Sequence, residues 1–201
     1  MQTFESLHNA IQACQVCASH LKHGIKPILQ IHPQAKILIA GQAPGRQAHD
    51  SGLPFDDASG DRLRRWMGIS KEAFYDESKV AILPMGFCYP GTGKSGDLPP
   101  RPECAATWRA KVLSTLPNIE LSLIIGKYAQ AYHLPEHRGN LTQAVKGWLD
   151  KPSALIPLPH PSPRNNMWLK RNTWFEDRMV LQLQTHINKL LDQHVAMEVK
   201  R

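Results

Sequence analysis

Four short apolar runs, separated from one another by helix-forming segments, constrain the fold of this chain more than any other feature. The first, AKILIAG at residues 35–41, is almost continuously apolar, which is typical of a strand buried on both faces. Further strands are predicted at 79–87, 118–126 and 153–163. Strands that alternate with helices imply right-handed crossovers and a helix-covered parallel sheet. The sequence therefore predicts an α/β fold, a three-layer α/β/α sandwich around a central, mainly parallel, four-stranded sheet.

Helices are predicted between the strands and at both ends of the chain. In the second of them Ser59 is placed to cap the N-terminus, and Arg62, Arg64 and Arg65 suggest an ordinary solvated face. No internal repeat or low-complexity linker divides the chain, so we expect a single domain over residues 1–201. The predicted helices span residues 4–20, 59–69, 101–116, 127–134, 141–149 and 174–195.

The net charge of the chain indicates what kind of partner it binds, and its hydropathy argues against a membrane or secreted protein. Lysine and arginine number 24 against 17 aspartate and glutamate, a net charge of +7. Such an excess suits a polyanionic partner, because neutralised phosphates release their counterions. No apolar run of about 18 residues is present, so no membrane span is expected. The N-terminal stretch MQTFESLHNAIQAC lacks the basic start and apolar core of a secretion signal. We therefore expect a cytoplasmic protein, and we expect it to be a monomer.

Four cysteines form a second chemical pattern. Cys14 and Cys17 stand in C-x-x-C spacing near the end of the first predicted helix, and Cys88 and Cys104 close a proline- and glycine-rich loop. In a reducing cytosol disulfides are disfavoured, and such spacing favours metal or redox chemistry over a chance pair of buried cysteines. The order predicts one four-thiolate site. A zinc ion and a [4Fe–4S] cluster both accept four thiolates, and spacing alone does not choose between them.

Two further motifs lie just past the carboxyl ends of predicted strands. GQAPG at residues 41–45 leaves the first strand through two glycines and a proline, a turn that brings backbone N–H groups close to a small ligand. LPHPSPRNN at residues 158–166 follows the fourth strand. Open α/β sheets bind ligands at this edge. We therefore expect the two motifs to face each other across one cleft, with Phe55 as an exposed wall rather than a core aromatic.

Together these residues resemble the uracil-DNA glycosylase superfamily. GQAPG at 41–45 is similar to the first family motif, and GLPF at 52–55 to the element whose aromatic ring stacks on a flipped base. His-Pro-Ser at 160–162 is similar to the second motif. The cysteine order resembles the iron–sulfur branch, called family 4, whereas the extended HPSPRN at 160–165 is closer to the single-strand-selective, SMUG-type branch. The resemblance runs from Cys14 to the C-terminal helix.

The resemblance implies a DNA glycosylase. Such an enzyme flips uracil, or a related deaminated or damaged base, out of DNA and hydrolyses its N-glycosidic bond in base excision repair. DNA is therefore the expected partner. His160 would donate a hydrogen bond to the departing base, and Gln42 would place the water and orient the base, although an amide cannot act as a general base. His49 and Asp50 are the nearby candidates for that base, against a simpler role as exposed loop residues.

Binding roles follow from the same resemblance. Phe55 would stack on the base, Arg164 would grip a phosphate, and Met167 or Trp168 would fill the space that the base vacates. The residues implied to bind the base are Gly41, Ala43, Phe55, Met85 and Asn165, and those implied to bind DNA are Ser162, Arg164, Asn166 and Met167.

One position departs from the family pattern. The iron–sulfur branch usually has an asparagine four residues before its third cysteine, where it reads the edge of uracil, and this chain has Pro84 there. Proline offers neither a side-chain donor nor a backbone N–H. Backbone groups of Met85 and Gly86, or the side chain of Asn165, are the remaining readers. We therefore expect weaker discrimination in favour of uracil, with deaminated purines or modified pyrimidines as further substrates.

Two functions of other classes fit the same residues. Because the base-reading asparagine is replaced by Pro84, the chain also fits a cluster-bearing DNA-binding protein that recognises altered bases without cutting the DNA. A hydrolase of free nucleosides or other small N-glycosides would use the same pocket. Release of alkali-labile abasic sites from a uracil-containing oligonucleotide separates a glycosylase from both.

Overall fold

The structure, a computed structural model, describes residues 3–94 and 96–198, with side chains as far as residue 191. The strands are β1 (Ile37–Ala40), β2 (Val80–Ile82), β3 (Thr92–Gly93), β4 (Gly96–Asp97), β5 (Leu121–Ile125) and β6 (Leu155–Leu158). Four of them form one sheet in the order β2–β1–β5–β6, and every neighbouring pair is parallel. Helices flank this sheet, so the predicted α/β sandwich with a four-stranded sheet is confirmed, and the sheet is parallel throughout.

The helices agree with the sequence prediction in order and differ from it in length and number. The first ends at Gln12 rather than at residue 20, and three short helices, the second, fourth and ninth, were not predicted. The helices are α1 (Phe4–Gln12), α2 (Arg46–Ser51), α3 (Ala58–Met67), α4 (Lys71–Tyr75), α5 (Pro102–Cys104), α6 (Ala110–Leu113), α7 (Gly126–His133), α8 (Leu141–Asp150), α9 (Asn166–Arg171) and α10 (Leu181–Glu198). A π-helical turn at Ala105–Arg109 joins α5 to α6, and another at Phe175–Val180 leads into α10.

Burial of both sheet faces explains why the strands are so apolar. In β1, Ile37 and Ile39 belong to the core formed with α3, α8 and the C-terminal helix, whereas Leu38 belongs to the core formed with α1 and α6. All four residues of β1 are buried. A strand covered on two sides needs apolar residues at successive positions rather than at alternate ones. Within the described residues no helix is long and apolar enough to cross a membrane.

The sheet order creates a crevice at the carboxyl edge. In this sheet β2 lies on one side of β1, and β5 lies on the other side. The loops that follow β1 and β5 therefore diverge, and ligands of open α/β sheets bind at such a switch point. Both GQAPG, after β1, and the proline turn after β6 lie at this edge.

A buried arginine fixes the end of β2. Arg109, on the π-helical turn, is fully buried, and its Nη1 donates to the carbonyl oxygens of Leu83 and Pro84 at 3.1 and 3.0 Å. Its Nε donates to Nε2 of His133 at 3.0 Å. Burial, together with the nearby Arg109 guanidinium, lowers the pKa of His133 to about 4. A neutral imidazole is thus available to accept from Arg109, and the carbonyl of Pro84 is held facing the protein interior.

Candidate active site

A cavity of about 520 Å³ opens at the carboxyl edge of the sheet. Both motifs predicted to face one cleft contribute to its wall: the turn at residues 41–45 and the turn that begins at His160. Pro84, two residues after β2, and Asp97 on the β3–β4 hairpin also line it. Of the residues implied by resemblance to act at the site, those that line this cavity are Gly41, Gln42, Ala43, Phe55, His160, Ser162, Arg164 and Asn165.

Phe55 adopts an unusual backbone conformation. Its φ is +55°, and among the described residues it alone combines a side chain with a positive φ. Such strain persists only where the surroundings enforce it, and it is concentrated at functional sites. Tyr75 Oη donates to the carbonyl of Pro54 at 3.0 Å, and Arg64 Nη1 reaches the carbonyl of Phe55 at 3.4 Å. The half-buried ring packs beside Gly41, where an added Cβ would lie 3.5 Å from its Cζ.

Helix α3 supports both walls of the cavity. Arg64 is only 8% exposed and stacks on Phe74, with Cζ 5.2 Å from the ring centroid. Arg62 Nη1 donates to the carbonyl of Ser162 at 3.2 Å, which ties the helix to the second motif. The predicted solvated face is therefore wrong for these two arginines. The predicted cap is wrong as well: Asp57, not Ser59, caps α3, and its Oδ1 accepts from Gly60 N–H at 2.8 Å.

The surroundings of His160 define its tautomer. The backbone N–H of Ser162 donates to Nδ1 at 3.2 Å. A ring nitrogen that accepts a hydrogen bond carries no proton, so in the neutral imidazole the proton resides on Nε2. Burial lowers the pKa of His160; Asp57 and Asp97 oppose this effect and Arg164 adds to it. At neutral pH the site thus presents an uncharged ring whose Nε2–H is a hydrogen-bond donor.

The amide groups of the two motifs hold the loops in place. Gln42 Nε2 donates to the carbonyl of Leu98, just after the hairpin, at 3.0 Å. Asn165 Nδ2 donates to the carbonyl of His160 at 2.7 Å, which closes the second turn. Both residues line the cavity, and in each the side-chain NH₂ group contacts protein backbone. Each amide retains its carbonyl oxygen and one N–H for contact with a ligand.

Backbone groups after β2 are paired within the protein. The N–H of Met85 donates to Gly41 at 2.9 Å, and that of Gly86 donates to Gln42 at 3.0 Å. Met85 is buried in a small core cluster and does not line the cavity. The structure therefore does not place Met85 or Gly86 to read a base, and the wall at Pro84 is apolar.

The remaining DNA-binding candidates lie on the rim. Asn166 and Met167 are exposed and lie outside the cavity wall, and Met167 is 59% exposed. Trp168 packs against Trp174 and Phe175, and its Nε1 donates to Thr142 at 2.9 Å. Met167 and Trp168 were the two residues predicted to fill the space that a flipped base vacates. Of these two, Met167 is the exposed one.

Two carboxylates at the cavity were not assigned from the sequence. Asp57 and Asp97 both line it, whereas the sequence candidates for a general base do not. Asp50 pairs with Arg46 on the exposed face of α2, with Nε 3.0 Å from Oδ2, and His49 packs against the ring of Tyr89. Asp56 and Asp57 follow Phe55 in the sequence. The sequence alone does not distinguish an aspartate that caps a helix from one that faces a bound ligand.

All four cysteines line a second, small cavity on the α1 side of the sheet. Each is a free thiol. Trp108 Nε1 donates to Cys14 Sγ at 3.2 Å, and Phe87 N–H donates to Cys104 Sγ at 3.3 Å. Burial raises the pKa of Cys88 to about 11 and that of Cys104 to about 12. Two of the four sulfurs thus accept N–H hydrogen bonds, which favour the thiolate form that burial disfavours and that a metal ligand needs.

The fold and the cavity define an α/β protein whose ligand site is large enough for a nucleobase and carries a neutral histidine donor opposite a strained aromatic wall. The family model described as "Uracil DNA glycosylase superfamily" matches residues 29–184. The chain belongs to the uracil-DNA glycosylase superfamily. Membership indicates a DNA glycosylase activity on uracil-type damage, with DNA as the substrate.

Proposed function

We propose that this protein excises uracil or a related deaminated or damaged base from DNA by hydrolysing the N-glycosidic bond. The observation that carries the proposal is the neutral His160, with Nδ1 engaged by Ser162 N–H and Nε2–H left to donate. The bond electrons leave with the base, so negative charge develops on its carbonyl oxygen. A donor aimed at that oxygen is stronger in the transition state than in the ground state.

The remaining contacts to a flipped base follow from the cavity wall. The ring of Phe55 offers a flat face for stacking, and Gly41 beside it leaves room for a planar base. The amide oxygens of Gln42 and Asn165 would accept from the N–H edge of the base. Arg164 and Asn166 would contact phosphates at the rim, and exposed Met167 would enter the stack in place of the extruded base.

Oligonucleotides that carry one altered base test this proposal directly. Single- and double-stranded substrates with uracil, hypoxanthine, xanthine or an oxidised pyrimidine are incubated with the protein and then cleaved with alkali. We expect alkali-labile abasic sites from at least one of them. Tight binding of an altered base without cleavage would instead identify a recognition protein, and release of bases only from free nucleosides would identify a small N-glycoside hydrolase.

We also propose that Cys14, Cys17, Cys88 and Cys104 bind a [4Fe–4S] cluster, which would assign the chain to the iron–sulfur branch. In residues 3–94 and 96–198 no three His, Cys, Asp or Glu side chains are arranged around a single metal position. The proposal is supported by the one small cavity that all four cysteines line and by the N–H groups that donate to Cys14 and Cys104 Sγ. A four-iron cluster takes one thiolate on each iron, and a zinc ion with four thiolates is the alternative. When bound, the cluster would connect the segment after α1, which carries Cys14 and Cys17, to the segments that precede and follow the β3–β4 hairpin, which carry Cys88 and Cys104.

Iron analysis tests the cluster proposal. We expect anaerobically purified protein to be brown, with broad absorbance at about 400 nm and about four irons per chain. Cys17→Ser should lower the iron content and the thermal midpoint, because metal binding contributes free energy to folding. Leu181→Ser, at an exposed position of α10 outside the cysteine cavity, should leave the iron content unchanged. Colourless protein with one zinc per chain would contradict the iron assignment and keep the four ligands.

Pro84 should make the site less selective for uracil than an asparagine would. Its carbonyl is held by Arg109 and its ring has no donor, so this wall makes no hydrogen bond to the base. We expect Pro84→Asn to raise uracil excision relative to the other bases by roughly tenfold, the value of one net hydrogen bond. Pro84→Ala supplies an N–H without the amide and should leave the ratio unchanged. Strict uracil preference in the wild type would contradict this reading of Pro84.

A further inference from the structure

The hydrolysis proposed above requires a group that accepts a proton from water, and neither assigned catalytic residue supplies one. Gln42 is an amide, with its NH₂ group bonded to Leu98. His160 accepts a backbone hydrogen bond on Nδ1, and its other nitrogen carries the proton that stabilises the departing base. Carboxylates are suitable general bases. In the cavity wall these are Asp57 and Asp97.

The two carboxylates approach the same point of the first motif. A Cβ built on Gly45 would lie 3.5 Å from Asp97 Oδ2 and 3.9 Å from Asp57 Oδ2. Both also act on the imidazole of His160, since each favours its protonated form. The carboxylates, Gly45 and the donor ring thus surround one region of the cavity, where the sugar of a flipped nucleotide would meet an attacking water.

Asp57 and Asp97 differ in the structural contacts that they make. Asp57 is the N-cap of α3: its Oδ1 accepts from Gly60 N–H at 2.8 Å, and the positive end of the helix faces it. Asp97 lies on a hairpin strand of two residues and forms no ion pair within the part of the chain that the structure describes. The carboxylate of Asp97 is therefore the freer one.

The hairpin is positioned from both sides of the cavity. On one side Gln42 Nε2 donates to Leu98, the residue after Asp97, and Leu98 N–H donates to Gly91 at 2.8 Å. On the other side the guanidinium of Arg164 packs on Gly96, the residue before Asp97; a Cβ there would lie 1.6 Å from Nη1. Each neighbour of Asp97 thus contacts one of the two motifs, so the hairpin bridges them and places the carboxylate over the cavity.

We propose that Asp97 is the general base of the reaction, an inference that rests on the proposed function. Its carboxylate takes a proton from water while the water oxygen bonds to C1′ of the deoxyribose. The C1′–N bond breaks, and its electron pair leaves with the base as an anion that Nε2–H of His160 stabilises. The proton stays on Asp97 until it passes to solvent. Negative charge beside the sugar also favours the oxocarbenium character that develops at C1′.

A matched pair of amide variants tests this assignment. Single-turnover excision of the base preferred in the oligonucleotide panel, and equilibrium binding of the same oligonucleotide, are measured for wild type, Asp97→Asn and Asp57→Asn. Loss of a general base costs roughly 10² to 10⁴ in rate, so we expect Asp97→Asn to be at least about 100-fold slower. Asparagine caps helices as well as aspartate does, so Asp57→Asn should lose less rate than Asp97→Asn. The control Asp50→Asn, at a carboxylate outside the cavity wall, is measured in the same way and should stay within a few-fold of wild type.

DNA binding separates a chemical role from a structural one. Asp97→Asn should bind the oligonucleotide at least as tightly as wild type, because the variant removes a negative charge that repels phosphates. An Asp97→Asn rate within threefold of wild type, or a loss of DNA affinity in this variant, would overturn the inference. A greater loss in Asp57→Asn would transfer the role to Asp57. Wild type that cleaves no substrate would contradict the proposed function itself.

Discussion

Replacing His160 by alanine is expected to slow base excision by roughly 10² to 10³, the cost of removing one donor from a developing anion. Nε2–H acts on charge that exists only as the glycosidic bond breaks, so DNA affinity should change by no more than a few-fold, since phosphate contacts dominate binding. Single-turnover rates and equilibrium binding to the same oligonucleotide separate the two effects. A variant that retains full activity would remove His160 from the mechanism.

The pH dependence provides a second check on the same residue. Burial lowers the pKa of His160 below that of an ordinary histidine, about 6.5. The ring therefore stays neutral as the pH falls through 6.5, and the excision rate should show no step there. Protonation at lower pH would place a second proton on Nδ1, where Ser162 N–H now donates, and would disrupt the turn. A rate that halves near pH 6.5 and loses this step in His160→Ala would contradict the neutral-donor assignment.

The sheet and the place of the cavity were predictable because they depend on local patterns. Strands buried on two faces must be apolar at successive positions, and β1 shows this in the sequence. Alternation of strands with helices then fixes a parallel sheet, whose carboxyl edge carries the ligand site. GQAPG and the turn at His160 could therefore be assigned to one cleft before any contact was known.

Long-range contacts account for what the sequence did not reveal. The hairpin strands are two residues each, too short for any periodicity, so Asp97 was hidden in a loop rich in proline and glycine. Arg62 and Arg64 have the spacing of a solvated helix face, and only the fold brings the carbonyls of Ser162 and Phe55 to them. The local sequence pattern indicates which residues are buried, whereas the roles of Asp97, Arg62 and Arg64 depend on contacts with residues far away in the chain.

The largest structural effect is expected at Gly60, which lies in α3 under the strained turn of Phe55. A Cβ on Gly60 would lie 1.7 Å from the carbonyl oxygen of Phe55 and 2.7 Å from its carbonyl carbon. These are backbone atoms, so no side-chain rotation relieves the overlap. Arg64 and Tyr75 also hold this loop, through the carbonyls of Phe55 and Pro54. Gly60→Ala must therefore displace the turn, the helix or both.

We expect Gly60→Ala to lower the free energy of unfolding by about 3 kcal/mol, the upper part of the range for overpacked sites. Displacement of the Phe55 ring should also weaken stacking of the flipped base, with a loss of roughly tenfold to 100-fold in catalytic efficiency. Denaturant unfolding and excision kinetics measure the two effects separately. The sign is diagnostic, because alanine normally stabilises a helix interior relative to glycine by roughly 0.5–1 kcal/mol.

Gly147→Ala provides the matched control. Gly147 lies in α8, and a Cβ there would meet no atom within 4 Å. This variant should gain the ordinary helix stabilisation of about 0.5–1 kcal/mol and keep full activity. Opposite signs at the two glycines would show that Gly60 is required for the close approach of the Phe55 carbonyl rather than for helix flexibility. Equal stabilisation at both positions would mean that the strained turn does not pack on α3, and the support proposed for the stacking ring would be lost.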